Sequence, residues 1–176
     1  MRHGAALVLL LLSRLAQAAD NDFAVPAWPY PGDPVLPRAA SPPPDATTPL
    51  RLPGSNEAFT TAQLKDLFAA PDWHPDSHPP MPDIVAHGRK PAVYACGHCH
   101  LPDGQGRPEN VALAGLPAAY IEAQVADFRS GARRSAWHGK HLPTDLMRAS
   151  AQNAAQAEIA SAAEYFSGLR LTRRVE

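Results

Sequence analysis

Apolar residues recur at three- and four-residue intervals through the second half of the chain, and that spacing predicts helices. Tyr120, Ile121, Val125 and Phe128 form one stripe, with Pro117 at a first helical position and Gly131 stopping the run. Thr144 is placed to cap a short helix carrying Leu146 and Met147. Asn153 with Gln156 predicts another capped start, leading into a terminal helix whose inner face is Ile159, Ala162, Ala163, Phe166 and Leu169. In the first half a single segment has this character. Thr60 and Gln63 have the spacing of a capping box, Leu64, Leu67 and Phe68 share a face, and Pro71 ends a helix near 60–69. No alternating strand pattern appears, so the expected fold is all-α.

Composition divides the chain near residue 88. Of its 20 prolines all but Pro102, Pro108, Pro117 and Pro143 lie between Pro26 and Pro91. Charge divides at the same place, with a balance of −6 over residues 20–88 and +3 over residues 89–176. Residues from about Asn21 to Pro53, including Ser41-Pro42-Pro43-Pro44, read as extended and polyproline-like. The stretch Asp72-Trp73-His74-Pro75 to Pro82 carries tryptophan, methionine and other apolar side chains, and is expected to lie against the domain that follows. The second half is long enough for one thin core, to which a buried apolar cofactor would add.

The N-terminus has the layout of a secretory signal peptide. Arg2 and His3 precede an apolar run from Ala5 to Leu12, and Ala16-Gln17-Ala18 offers a small-residue cleavage site. The run falls short of the roughly 20 residues of a spanning helix. The expected organisation is a signal peptide over 1–18, a proline-rich acidic extension over 19–83 with one short helix, and a helical domain over 84–176. The expected location is the periplasm, with no spanning segment in the mature chain.

Chemistry concentrates at Cys96-Gly97-His98-Cys99-His100. This is C-x-x-C-H, the attachment signature of a c-type haem: two thiols three positions apart can each add to a vinyl group of one porphyrin, and the next residue offers imidazole to the iron. These are the only 2 cysteines. A redox dithiol would be expected inside a strand–helix pattern that is missing here, and no second Cys/His knuckle follows to complete a zinc site. Nucleophile–base pairs, phosphate loops and paired catalytic carboxylates are not evident, and nothing suggests a nucleic-acid partner.

From the attachment motif onward the order is Leu113-Ala114-Gly115-Leu116, Tyr120 with Gln124 and Phe128, Gly131 and Arg133, Met147, Glu158-Ile159 and Tyr165-Phe166. In this the chain resembles the small single-haem cytochromes c of bacterial periplasms, class I in type. It is similar to the repeats of diheme electron-transfer cytochromes and to dehydrogenase-associated cytochrome subunits. The resemblance covers residues 84 to 176 and implies one covalent haem c. It implies thioethers from Cys96 and Cys99, proximal ligation by His100, and a distal sulfur from Met147. It also implies a carbonyl near Pro108 beside the other nitrogen of His100, and packing of Tyr165 and Phe166 against the segment around Gly88 and Tyr94. The implied activity is transfer of one electron between a dehydrogenase or quinol-linked donor and an oxidase or other cytochrome, with no bond chemistry of its own.

Rival readings stand beside these. Met81, His138 or His141 could replace Met147, or the distal position could stay open to small gases or peroxide. Met147 could equally be ordinary core packing. His74, His78 and His87 read as solvated, and His98 as a motif position without a task. Trp137 reads as part of a haem wall. Arg133, Arg134, Lys140 and Arg148 could form a basic rim that steers an acidic redox partner. The extension could also serve as an arm that docks a partner enzyme.

Overall fold

A computed structural model describes residues 45–135 and 142–172, all within one unit, Ala39–Glu176. The signal peptide, the first part of the extension, and Trp137, His138, Lys140 and His141 lie outside the described residues.

The fold is mainly helical. A two-residue strand pair, β1 (Pro49–Leu50) with β2 (Phe59–Thr60), is antiparallel, with Pro49 opposite Thr60. Then comes α1 (Thr61–Lys65). The capping box forms as its sequence spells it: Gln63 N–H donates to Thr60 Oγ1 at 3.2 Å, and Thr60 N–H donates to Gln63 Oε1 at 2.8 Å. The helix ends at Asp66, sooner than Pro71 would require, because the Asp66 carboxylate accepts from Phe68 N–H at 2.9 Å and turns the chain. Leu67 and Phe68 therefore leave the helix and run along the domain.

The remaining helices are α2 (Asp83–Ala86), α3 (Cys96–His100), α4 (Ala118–Ser130), α5 (Leu142–Asn153) and α6 (Gln156–Ser167). Two boundaries depart from the sequence expectation. Thr144 lies inside α5, not at its cap. Asn153 closes α5, its amide donating to the Ala149 carbonyl at 2.8 Å, and the next helix is opened by Glu158, whose carboxylate accepts from Ala155 N–H at 2.7 Å. A glutamate reaching back three residues works as well as the predicted glutamine pattern, which is why the start was misplaced by sequence.

Helix α6 carries the core. Ile159, Ala162, Ala163, Phe166 and Leu169 are all buried, as their spacing requires. Phe166 packs with Val85 of α2, Val93, Ala114 and Ile121 of α4 in the larger of two apolar clusters. The smaller gathers Val125, Ala151 and Ile159, with Phe128 and Met147 against it. Ala154 touches both. Tyr120, placed on the inner stripe by spacing alone, is 47% exposed and belongs to the outer face.

Residues 66–82, here called the strap, are built into this body. Ala95 N–H donates to the Leu67 carbonyl at 2.9 Å and Ala70 N–H to the Ala86 carbonyl at 2.8 Å. The Phe68 ring lies 5.2 Å from Tyr94, and Met81 packs against the larger cluster. His78, expected in solvent, has a side chain only 3% exposed. Its Nε2 lies 3.2 Å from the Asp72 carboxylate and its Nδ1 3.0 Å from the Tyr165 hydroxyl. Tyr165 donates in turn to the Pro102 carbonyl at 2.7 Å, so the strap is fastened to the last helix and to the loop after α3.

Candidate functional site

Helix α3 consists of the five residues Cys96-Gly97-His98-Cys99-His100. One helical turn separates the two cysteines, so both thiols emerge on the same side. Gly97 and His98 face inward and are buried. His98 has a structural task that its motif position does not suggest: its Nδ1 donates to the strap's Ala69 carbonyl at 3.0 Å.

His100 is oriented from behind. Its Nδ1 donates to the Val111 carbonyl at 2.8 Å, which fixes the tautomer and leaves the Nε2 lone pair free for a metal. The acceptor is Val111, not a carbonyl near Pro108. Pro108 instead sits in the turn between Arg107 and Asn110, whose backbones bond to each other at 2.9 and 3.0 Å, and this turn presents Val111. Two glycines let the loop come so close. A Cβ on Gly106 would meet the Asn110 carbonyl at 2.5 Å, and one on Gly104 would meet Ala114 N at 3.0 Å; both have positive φ. Burial lowers the His100 pKa, opposed by the Val111 bond, and keeps the ring neutral as a ligand must be.

The thiols are not poised for redox exchange. Burial pushes Cys96 up to about 12, with Cys99 adding to the effect, and burial also raises Cys99. A redox dithiol needs the reverse, a stabilised thiolate. Among the described residues no group of three or more His, Cys, Asp or Glu side chains is placed to hold a metal ion.

Met147 lies half-buried on α5, against the cluster of Val125, Ala151 and Ile159. Cys96 packs on the larger cluster and Met147 on the smaller. The structure brings Cys96, Cys99 and His100 together; no described contact joins Met147 to His100. Met81 is held against the larger cluster, as Cys96 is. The donor set fits a covalently attached porphyrin: two protonated thiols one helical turn apart and a neutral imidazole whose Nε2 is left unclaimed by the Val111 bond. Of the expected basic rim, Arg133 is held by Gln124 and lies over Phe128 at 5.1 Å, and Arg134 donates to the Gly131 carbonyl at 2.9 Å.

Residues 85–170 match the family model described as Cytochrome c. This segment is a cytochrome c domain. The chain is 29% identical over 131 residues to cytochrome c4 of Azotobacter vinelandii, covering 68% of this chain and 60% of that protein. It thus spans less than two thirds of that relative. It is also 27% identical over 157 residues to the thiosulfate dehydrogenase electron acceptor of Stutzerimonas stutzeri, covering 68% of this chain and 70% of the relative. A solved structure of reduced cytochrome c4 from Pseudomonas stutzeri is 32% identical, covering 47% of this chain and 43% of that one with a TM-score of 0.41. The cytochrome c domain implies covalent haem c, for which Cys96 and Cys99 supply one attachment motif. Among the described residues no helix is long and apolar enough to cross a membrane.

Proposed function

We propose that this protein is a periplasmic one-electron carrier, with a single haem bonded through Cys96 and Cys99 and held axially by His100 and Met147. The observation that carries the reading is the His100–Val111 bond at 2.8 Å beside two protonated, half-buried cysteines on one helix. When bound, the haem supplies an iron that cycles between ferrous and ferric states, and a thioether ligand favours the ferrous one. The chain's own residues do the rest. Val111 holds the His100 ring in one tautomer and orientation, and Phe166 packs edge-on to that ring at 6.3 Å. With His100 and Met147 both holding the metal, a substrate would have to displace one of them, so the protein would carry charge and make no bonds.

The donor is a dehydrogenase or quinol-linked complex, and the acceptor an oxidase or another cytochrome. The thiosulfate dehydrogenase electron acceptor among the relatives supports a donor of the sulfur-oxidising dehydrogenase class. Contact is brief, through an interface below roughly 1,200 Å². The test is the spectrum of the oxidised, haem-loaded protein. It is expected to show the weak long-wavelength sulfur-to-iron band, and Met147→Ala to abolish it. A band that survives the substitution rejects Met147 as the ligand.

A further inference from the structure

Both ring nitrogens of His78 face hydrogen-bond acceptors. Nε2 lies 3.2 Å from each oxygen of the Asp72 carboxylate, and Nδ1 lies 2.8 Å from the Pro79 carbonyl. The Asp72 carboxylate also accepts from His74 N–H at 3.1 Å. Tyr165 Oη is 3.0 Å from His78 Nδ1, but its one proton goes to the Pro102 carbonyl at 2.7 Å. Burial, then the charges of Asp72 and Asp103, push that hydroxyl up to about 12, so it keeps the proton. A neutral imidazole owns one N–H and one lone pair, and either tautomer would turn the lone pair on an acceptor. Only a ring protonated at both nitrogens satisfies every neighbour. The ring is also closed in, with 3% of its side chain exposed against 20% for Asp72.

We propose that His78 is a buried imidazolium that latches the extension onto the helical domain, and that rising pH releases it. The inference goes beyond electron transfer and does not depend on a haem. Three segments meet at this ring: the strap through Asp72 and Pro79, α6 through Tyr165, and, by way of Tyr165, the loop after α3 through Pro102. The strap in turn carries the strand pair. Ser55 Oγ donates to the Trp73 carbonyl at 2.6 Å, and Phe59 meets the Trp73 ring edge-on at 4.7 Å. The ionisable groups around His78 are Asp72 of the strap, Tyr165 of α6 and, acting on Tyr165, Asp103 of the loop. Loss of either ring proton sets a lone pair against a carboxylate or a carbonyl, inside a nearly closed site where an unmade bond is costly. The bond set is therefore complete while the ring is charged and loses a member as pH rises through the histidine range. It fails again in strong acid, once the Asp72 carboxylate takes a proton.

The experiment uses the full-length protein with Asp72→Asn and His78→Gln, and with Asp76→Asn, an exposed strap position, as control. Nitrogen-15 spectra of the histidine rings read the protons directly. Hydrogen exchange of the His74 and Ser77 amides, referred to those of α4, reads the latch. At neutral pH, where an ordinary histidine is largely uncharged, the His78 ring is expected to show two proton-bearing nitrogens. Protection of the two strap amides is expected to fall about tenfold or more as the ring titrates, the size of one hydrogen bond to a charged group, while α4 holds. Asp72→Asn is expected to move that fall to lower pH, His78→Gln to leave the strap poorly protected at every pH, and Asp76→Asn to match wild type. The wild-type ring spectrum and exchange profile need no variant, so a His78→Gln protein that does not fold leaves the test whole. A lone-pair nitrogen on His78 at neutral pH, strap protection that does not change with pH, or a fall that Asp72→Asn leaves in place overturns the inference.

Discussion

Replacing Gly97 with alanine tests whether the strap and the attachment helix form one packed body. An added Cβ would stand 2.9 Å from the Val85 carbonyl, 3.0 Å from Ala70 Cβ and 3.2 Å from Val85 Cγ1. The first two neighbours cannot swing aside, since one is backbone and the other is fixed to it. Helix α2, helix α3 and the strap must therefore separate by a few tenths of an ångström. Overpacking of this kind costs about 1–3 kcal/mol. At about 4–8 °C per kcal/mol for a domain of this size, the melting temperature should fall by roughly 5–20 °C. The assay is thermal unfolding of the haem-loaded protein, followed by circular dichroism and by haem absorbance. Ala70→Gly, made alone and with Gly97→Ala, completes a double-mutant cycle. Removing the Ala70 methyl relieves the 3.0 Å contact but leaves the carbonyl clash, so partial rescue is expected. A Gly97→Ala protein as stable as wild type, or strictly additive single effects, would refute the contact between strap and motif.

Two further predictions concern the surfaces that close the domain. Tyr165→Phe removes the donor to the Pro102 carbonyl and the hydroxyl beside His78, and should cost about 1–2 kcal/mol, with faster hydrogen exchange over residues 72–79. Unchanged exchange there would show that the strap is held by its apolar contacts alone. Glu158 is held below its ordinary pKa of 4.5, chiefly by the Arg89 bond at 2.7 Å and then by Ala155 N–H. A depressed carboxylate stabilises fully above that ordinary value and loses its effect as pH falls through the lower, folded-state value. Glu158→Gln should thus melt modestly below wild type at neutral pH and converge with it in acid; a gap that persists in strong acid would contradict the assignment.

Local signals in the sequence reached as far as local physics decides. The Thr60–Gln63 box and the Ile159-to-Leu169 face appear as their spacing requires, because capping and amphipathic burial act within a few residues. Asn153 misled because it ends one helix as readily as it begins another, and Glu158 three residues beyond Ala155 settled the matter. His78 looks solvated among prolines; one of the partners that meet its ring, Tyr165, is 87 positions away. The orienting carbonyl for His100 was sought near Pro108 and comes from Val111, since the turn built on that proline carries the acceptor past it. Cys96, Cys99 and His100 were legible as a unit from spacing.

The strap has a consequence for how this domain is cut from its chain. The family match begins at residue 85, yet Leu67, Ala69 and Ala70 supply backbone acceptors, a donor and a methyl to the wall behind the cysteines. A fragment excised at the family boundary would leave His98 pointing at water and the inner flank of its own attachment helix bare. Keeping that wall requires the residues from about Asp66 onward, and recombination that respected only the shared family boundary would transplant a domain lacking one side.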